Sequence, residues 1–180
     1  MIYFTSDTHW YHANVIRFDN RPFANITEMN TALVQNWNSV VHHDDEVYHL
    51  GDISFGNEQE TNSVLSRLYG HKHLVLGNHD KPKMMNMFKR HFETIDNYKV
   101  LNYDKWYFVL FHYPIAEWHW QHRGAIHLHG HVHSTRQDND RQRYRRYDVG
   151  VRANDYFPVS IETVIKIAEG KEILGHHRDQ

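Results

Sequence analysis

The sequence predicts an α/β fold in which central mixed β-sheets, packed as a two-sheet sandwich, are flanked by α-helices. Short apolar runs rich in β-branched and aromatic residues recur along the chain, and helix-like segments separate them in the first half. Strands that alternate with helices favour βαβ units, whereas the strand-rich second half favours added antiparallel pairing. We therefore expect two packed sheets with helices on the outside.

Six segments carry the strand pattern. They are residues 2–5, 47–50, 73–76, 106–111, 125–128 and 149–151. A biased, arginine-rich stretch at residues 136–146 separates the last two and is predicted to be a solvated loop or hairpin.

Four segments carry the helix pattern, with apolar residues at helical spacing. The first begins near Thr27 and runs toward residue 41, and the second covers residues 58–69. Pro82 suits the first turn of a third helix that reaches about residue 92. The last helix is predicted to begin at the N-cap Ser160 and to end at Gly170.

Composition limits the classes of protein. The 180 residues, 40% of them hydrophobic, suit a single domain spanning 1–180. No apolar run approaches the roughly 18–20 residues of a membrane span, and the sequence contains no cysteine. The first residues have no basic region followed by a long apolar stretch, so we expect no signal peptide. We expect a cytoplasmic protein without a membrane partner. The net charge of −2 provides no overall field that would attract nucleic acid.

Five predicted strands end at polar residues that suit metal binding. The candidates are Asp7 and His9, then Asp52, then Asn78, His79 and Asp80, then His112, and finally His131 and His133. Ligands of open α/β sheets bind beyond the carboxyl ends of the strands. We therefore expect these distant segments to meet at one edge.

Local spacing also favours a shared site. Residues i and i+2 of an extended segment point to the same side, which would align Asp7 with His9 and His131 with His133. A glycine precedes a candidate in three motifs and permits a sharp turn or a close backbone approach, at Gly51, Gly77 and Gly130.

The donor set mixes carboxylates, imidazoles and an amide oxygen. Carboxylate and amide oxygens suit harder ions, while imidazole suits Zn, Fe, Ni or Cu. The candidates are too many for a structural zinc site closed by four ligands. They suit two ions that share a carboxylate, and ions ~3.5–4 Å apart promote in-line displacement at phosphorus.

The five motifs, in their order, resemble the motif series of the calcineurin-like metallophosphoesterases. They cover residues 7–133, and the segments at residues 21–23 and 156–160 look like a small, cap-less branch found in bacteria and phages. The resemblance implies that Asp52 bridges two divalent ions (Mn, Fe, Ni or Zn). It assigns one ion to Asp7, His9 and His133, and the other to Asn78, His112 and His131.

The same resemblance implies that His79 protonates the leaving oxygen and that Asp80 orients His79. The implied reaction is hydrolysis of a phosphoester by a bridging hydroxide, and the open, cap-less site favours phosphodiesters or nucleotides. Alternatives are a phosphomonoesterase or protein phosphatase, a nuclease, and a non-catalytic metal-binding scaffold.

Each of three features allows two interpretations. His12 is either close to the metal edge or a loop residue. The segment from Trp118 to Trp120 lines a substrate cleft or packs under a loop. The arginine cluster from Arg141 to Arg146 contacts phosphate or nucleic acid, or is a solvated face.

Overall fold

Two β-sheets dominate the structure, a computed structural model that describes residues 1–175. Their strands are β1 (Ile2–Thr5), β2 (Glu46–His49), β3 (His71–Val75), β4 (Thr94–Asp96), β5 (Lys99–Tyr103), β6 (Trp106–Leu110), β7 (Ile126–His129), β8 (Arg146–Asp148) and β9 (Val159–Ser160). The first sheet has the order β4-β3-β2-β1-β9, and the second has the order β5-β6-β7-β8. The predicted α/β class with two mixed sheets is confirmed.

Most neighbouring strands are parallel. Strands β1 to β4 pair in parallel, and so do β6, β7 and β8, whereas β9 and β5 pair antiparallel at one edge of each sheet. Consequently, the carboxyl ends of β1, β2 and β3 share one edge of the first sheet. Those of β6 and β7 share one edge of the second.

The α-helices of the described chain are α1 (Ala13–Phe18), α2 (Ile26–Val40), α3 (Glu58–Leu65), α4 (Met85–His91), α5 (Arg136–Arg141) and α6 (Ile161–Glu169). The same part of the chain also has three short 3₁₀ helices, at Pro82–Met84, Gln121–Arg123 and Val151–Asn154. The side chain of Ser160 accepts a hydrogen bond from the backbone N–H of Thr163, which confirms its predicted role as N-cap of α6. Helix α2 begins one residue before the predicted Thr27, because Asn25 caps it through the N–H of Glu28.

The two largest hydrophobic clusters of the described residues cover the two faces of the first sheet. Between the sheets, Phe4 of β1 stacks on Phe108 of β6 with ring centroids 5.8 Å apart, amid buried aliphatic residues of both sheets and of α6. On the outer face of the first sheet, Trp37 of α2 and Phe88 of α4 pack in a second cluster with Leu74 of β3. Burial on both faces explains why the central strands read as continuous apolar runs.

Three predicted elements differ from the structure. The strand predicted at residues 149–151 lies earlier, at Arg146–Asp148, where buried Asp148 is satisfied by backbone N–H groups and so tolerates a core position. The loop predicted at residues 136–146 contains α5, whose capping box joins Thr135 and Asp138. The helix predicted to reach residue 69 ends at Leu65.

No helix within residues 1–175 combines the length and the apolar character required to cross a bilayer.

Candidate metal centre

Loops from both sheets meet at the edge formed by the carboxyl ends of the parallel strands. Backbone hydrogen bonds hold these loops together: Asp7 N donates to Gly51 O at 3.0 Å, and Gly130 N donates to His112 O at 2.9 Å. A third link joins the sheets, since His131 N donates to Asp7 Oδ2 at 3.0 Å. All five predicted motifs therefore lie at one place, as expected.

The first group of candidate ligands comprises Asp7, His9 and His133. The Nε2 atoms of His9 and His133 lie 3.1 Å apart, and they lie 3.8 Å and 3.5 Å from Asp7 Oδ1. Asp7 and His9 are each 2% exposed, so these donors are largely removed from water.

The second group comprises Asn78, His112 and His131. Asn78 Oδ1 lies 2.9 Å from His112 Nε2 and 3.0 Å from His131 Nδ1. Asp52 lies between the groups, because its Oδ2 is 3.6 Å from His112 Nε2 and 3.7 Å from His9 Nε2. The structure thus brings together all seven predicted ligands.

Five of the seven have left-handed backbone conformations. Positive φ angles between 48° and 70° occur at Asp7, His9, Asp52, His131 and His133. Asp7 and His9 face one site, as do His131 and His133, which is as predicted. The backbone that achieves this is not the extended one that the prediction assumed. Instead, left-handed residues at alternate positions turn the chain after β1 and β7. Such conformations cost about 1–3 kcal/mol each and persist only where the surrounding structure holds them.

All three predicted glycines permit this close packing. A Cβ at Gly77 would overlap Asp52. Gly51 has a φ of +91°, and a Cβ there would overlap the backbone of Gly77. A Cβ at Gly130 would overlap Asp7 Oδ2 and Ser6 Oγ. The absent side chain of Gly130 therefore makes the room that the Asp7 carboxylate occupies.

His79 lies beside the two groups with its side chain 45% exposed. Its Nε2 is 4.0 Å from Asp52 Oδ2, and its backbone N–H donates to Asp52 Oδ1 at 2.8 Å. This imidazole faces both the centre and solvent, where an entering substrate can reach it.

The predicted contact between Asp80 and the His79 ring is wrong for the described chain. Both oxygens of Asp80 instead accept backbone N–H groups, from Asp52 at 2.9 Å, Ile53 at 3.0 Å and Gly77 at 2.8 Å. Burial raises the pKa of Asp80 to about 6, although these hydrogen bonds act in the opposite direction. Asp80 therefore fixes the loops after β2 and β3.

Sequence reasoning missed Asp19, which follows α1. Its Oδ2 lies 2.7 Å from His133 Nδ1 and also accepts from Nη2 of buried Arg21 at 3.1 Å. Arg21 further donates to the carbonyl oxygens of Asp7 at 2.9 Å and Thr8 at 3.0 Å. Arg21 falls within a segment noted for its resemblance, but no local pattern links Asp19 to His133.

The electrostatics of the centre suit a cation. Burial lowers the pKa of His133, but hydrogen bonds to Asp19 and Asp7 outweigh it and raise the pKa to about 10. Burial opposes ionisation of Asp7, yet hydrogen bonds to His133 and His9 hold its pKa well below the usual value. Across residues 1–175, neither Asp7 nor Asp52 pairs with a lysine or arginine.

The donor set therefore fits divalent metal ions. Ligand atoms of Asp7, His9 and His133 lie within 4.8 Å of one another, and so do those of Asp7, Asp52 and His112. Buried carboxylates require a compensating positive charge, and mixed imidazole and carboxylate donors are typical ligands of Zn, Mn or Fe.

Comparison with known proteins decides the family. The model of the calcineurin-like phosphoesterase superfamily domain matches residues 1–152. The chain belongs to the calcineurin-like phosphoesterase superfamily. The resemblance seen in the motifs is thereby confirmed.

Two relatives and one solved structure match nearly the whole length of this chain. An uncharacterized protein of Methanocaldococcus jannaschii is 34% identical, over 96% of this chain and 94% of that protein. The gene 66 protein of Mycobacterium phage D29 is 30% identical, over 94% of this chain and 98% of its own. A protein of unknown function from Aquifex aeolicus has a crystal structure with a TM-score of 0.73 and 30% identity, covering 93% of this chain and 98% of that chain.

Aromatic rings lie beside the candidate centre. His12 does not join the ligand groups but stacks on Phe55, with ring centroids 3.9 Å apart. Phe55 in turn lies 4.8 Å from the His79 ring, and Tyr113 lies 4.5 Å from the His131 ring on the other side.

The segment from Trp118 to Trp120 packs within the fold. Trp118 is 7% exposed, and its Nε1 donates to Ala125 O at 2.9 Å. The ring of Trp120 packs on Tyr107 at 4.4 Å. These contacts favour the packing interpretation over the cleft interpretation.

Three arginines of the predicted cluster are engaged within the fold. Arg143 pairs with Glu172 at 3.0 Å, Arg145 donates to Gly124 O at 3.1 Å, and Arg146 donates to Ile115 O at 3.3 Å. Their guanidinium groups brace the segment around β8. A role in contacting nucleic acid stays a prediction.

Proposed function

We propose that this protein hydrolyses phosphoesters at a centre that binds two divalent metal ions, with small phosphodiesters and nucleotides as substrates. One observation carries the proposal. Seven donor side chains from five strand ends form two groups, and the Asp52 carboxylate lies between them. Family membership supports the reaction class.

Each group would hold one ion. Asp7, His9 and His133 would bind the first, and the second would be bound by Asn78, His112 and His131, with Asp52 shared. Two bound ions would supply a nucleophile at neutral pH by acidifying water and would offset the charge of phosphoryl oxygens. The donor set is compatible with Mn, Fe, Ni or Zn.

His79 would handle the proton of the leaving group. Its imidazole is exposed enough to meet substrate, and its backbone is fixed by the hydrogen bond to Asp52 Oδ1. The proton at Nε2 would pass to the leaving oxygen as the bond to phosphorus breaks. Asp52 would therefore position both a metal ion and the proton donor.

The aromatic rings beside the centre support a nucleotide substrate. Phe55 lies next to His79, and the Nζ atom of Lys81 is 5.9 Å from the Phe55 ring centroid. Exposed Phe18 lies edge-on to His12, with centroids 6.3 Å apart. Nucleobases stack on aromatic side chains, so a base attached to the leaving oxygen would rest on this surface.

An assay of the Mn²⁺-loaded protein tests the proposal. Hydrolysis of bis-p-nitrophenyl phosphate is expected to exceed that of p-nitrophenyl phosphate, and the folded Asp52→Asn variant should be inactive. If neither compound nor a panel of nucleotides is hydrolysed, the proposed activity is wrong. A strong preference for the monoester would replace the diesterase with a phosphomonoesterase.

A further inference from the structure

A second cluster of histidine and carboxylate side chains lies at the opposite edge of the first sheet. Glu46 and His71 are the first residues of β2 and β3, whereas the candidate centre follows the last residues of these strands. His73 follows two residues after His71, and Glu93 immediately precedes β4. The proposed phosphoesterase reaction uses none of these four residues.

Strand register brings Glu46, His73 and Glu93 together, and His71 joins this group through its contact with Glu93. Glu46 and His71 are lateral neighbours in the parallel pair of β2 and β3, and residues i and i+2 of a strand point to the same face. His73 Nε2 lies 2.5 Å from Glu46 Oε2, and His71 Nδ1 lies 2.5 Å from Glu93 Oε1. Ligand atoms of Glu46, His73 and Glu93 all lie within 4.8 Å of one another.

The ring of His73 is held in a fixed orientation. Its Nδ1 lies 3.0 Å from Thr94 Oγ1, which leaves Nε2 directed at Glu46. Tyr48 stacks on the ring with a centroid distance of 4.6 Å and an interplanar angle of 18°. A hydrogen bond to the second ring nitrogen is the usual way in which proteins orient a metal-binding histidine.

Charge also favours a cation at this cluster. Two carboxylates face two imidazoles, and an ion would replace the protons that now bridge each pair. The nearby Lys99 is already engaged, since its Nζ lies 3.0 Å from Asp96 Oδ2 and 3.4 Å from Thr94 Oγ1. Two imidazoles and two carboxylates form a donor set that suits Zn²⁺.

We propose that Glu46, His71, His73 and Glu93 bind one Zn²⁺ ion at a structural site distinct from the candidate centre. The ion would join β2, β3 and the start of β4. Because it binds only the folded arrangement, zinc should raise the melting temperature. This inference does not depend on the phosphoesterase activity.

The test uses a full-length background in which Asp52→Asn and His133→Gln disable the candidate centre. Zinc stoichiometry is measured by calorimetry, together with the melting temperature. Adding Glu46→Gln and His73→Gln to this background should lower the number of bound zinc ions by one. The same changes should abolish the rise in melting temperature that zinc causes. The matched control is His91→Gln, which removes an imidazole paired with Asn62 at 2.8 Å.

A second pair of variants guards against misfolding. The side chains of His71 and Glu93 are 49% and 54% exposed, so His71→Gln with Glu93→Gln should fold normally. These changes should weaken zinc binding at least ~10-fold. Removing a hydrogen-bond partner of a metal ligand already lowers metal affinity by that factor, and removing a ligand should cost more. Unchanged zinc binding in this folded pair, or no lost ion in the first pair, would overturn the proposal.

Discussion

Asp19 Oδ2 lies 2.7 Å from Nδ1 of His133, a residue 114 positions away in the sequence. This contact leaves Nε2 of His133 facing His9 and Asp7, which are its partners in the first candidate group. Arg21 holds Asp19 from the other side through Nε at 3.2 Å. Asp19, at the end of α1, is not itself a candidate ligand, but it orients the candidate ligand His133.

The Asp19→Asn variant should weaken metal binding. An amide accepts more weakly than a carboxylate, so the His133 ring would be less well oriented and a less effective ligand. We expect metal affinity or activity to fall about 10- to 100-fold, measured as metal content after dialysis and as kcat/KM. Asp155→Asn is the control, because Asp155 pairs with Arg136 at an exposed position. Equal behaviour of the two variants would contradict the role given to Asp19.

The His79→Ala variant should separate proton transfer from metal binding. Loss of a general acid typically lowers a rate about 10²- to 10⁴-fold, whereas the candidate ligands are left intact. We expect a large fall in kcat for substrates with poor leaving groups and nearly unchanged metal content. Loss of both metals from the folded variant would show that His79 is a ligand instead.

The Phe55→Ala variant should distinguish nucleotides from other diesters. Stacking of a base on an aromatic ring contributes about 1–3 kcal/mol, so kcat/KM for a nucleotide diester should fall ~5- to 150-fold. A diester without aromatic rings, such as glycerophosphocholine, should be affected much less. Phe157→Ala changes an exposed phenylalanine elsewhere and serves as the control. A uniform loss over all substrates would argue against base stacking.

The Gly130→Ala variant should damage both stability and metal binding. The added methyl group would overlap the Asp7 carboxylate and Ser6, and overpacking of this kind costs about 1–3 kcal/mol. Gly170→Ala is the matched control, since its Cβ would meet only Ile167 O at an ordinary 3.6 Å. Thermal unfolding and metal content of both variants provide the measurement. Wild-type values for Gly130→Ala would contradict the close approach described here.

Two buried histidines should make the protein sensitive to acid. Burial lowers the pKa values of His49 and His127 to about 3. Hydrogen bonds fix both neutral rings, because Gly51 N donates to His49 Nδ1 at 3.2 Å and Ile115 N donates to His127 Nε2 at 3.3 Å.

Acid should lower the stability because the unfolded chain binds more protons than the folded protein does. Between pH 6.5 and about 3, the unfolded chain binds protons that the folded protein excludes, so stability is present above pH 6.5 and falls with acid. Each histidine contributes a slope of up to about 1.4 kcal/mol per pH unit. Urea unfolding of metal-free protein from pH 7 to pH 4 should show this loss, and folded His127→Gln should show a smaller slope. If His127→Gln leaves the pH dependence of stability unchanged, the role given to His127 is wrong.

Patterns that are local in sequence predicted much of this structure. Strands β1 to β3, β6 and β7 are apolar because both faces are covered, and their ends carry the candidate ligands. Strands β4 and β9 have three and two residues, too few for any periodicity to appear. Helix α5 was predictable, since Thr135 and Asp138 have capping-box spacing.

Features that depend on tertiary contacts lay beyond the sequence patterns. The contact of Asp19 with His133 joins distant segments, and neither residue has a neighbour that predicts it. The role predicted for Asp80 was wrong, because its carboxylate accepts hydrogen bonds from backbone N–H groups of another loop. Sequence spacing does not reveal these partners. The predicted domain limits of 1–180 stay a prediction. His176 and His177, which the sequence predicts to be surface or partly packed residues, lie outside the described residues.

The boundary between the two sheets passes through the middle of the candidate centre. Loops of the first sheet contribute Asp7, His9, Asp52 and Asn78, and loops of the second contribute His112, His131 and His133. A fragment that ends after β4 would therefore carry no complete group of donors, and neither would the remainder. Neither half alone would hold an ion in the proposed way, and metal occupancy would therefore report directly on whether the two sheets have packed together.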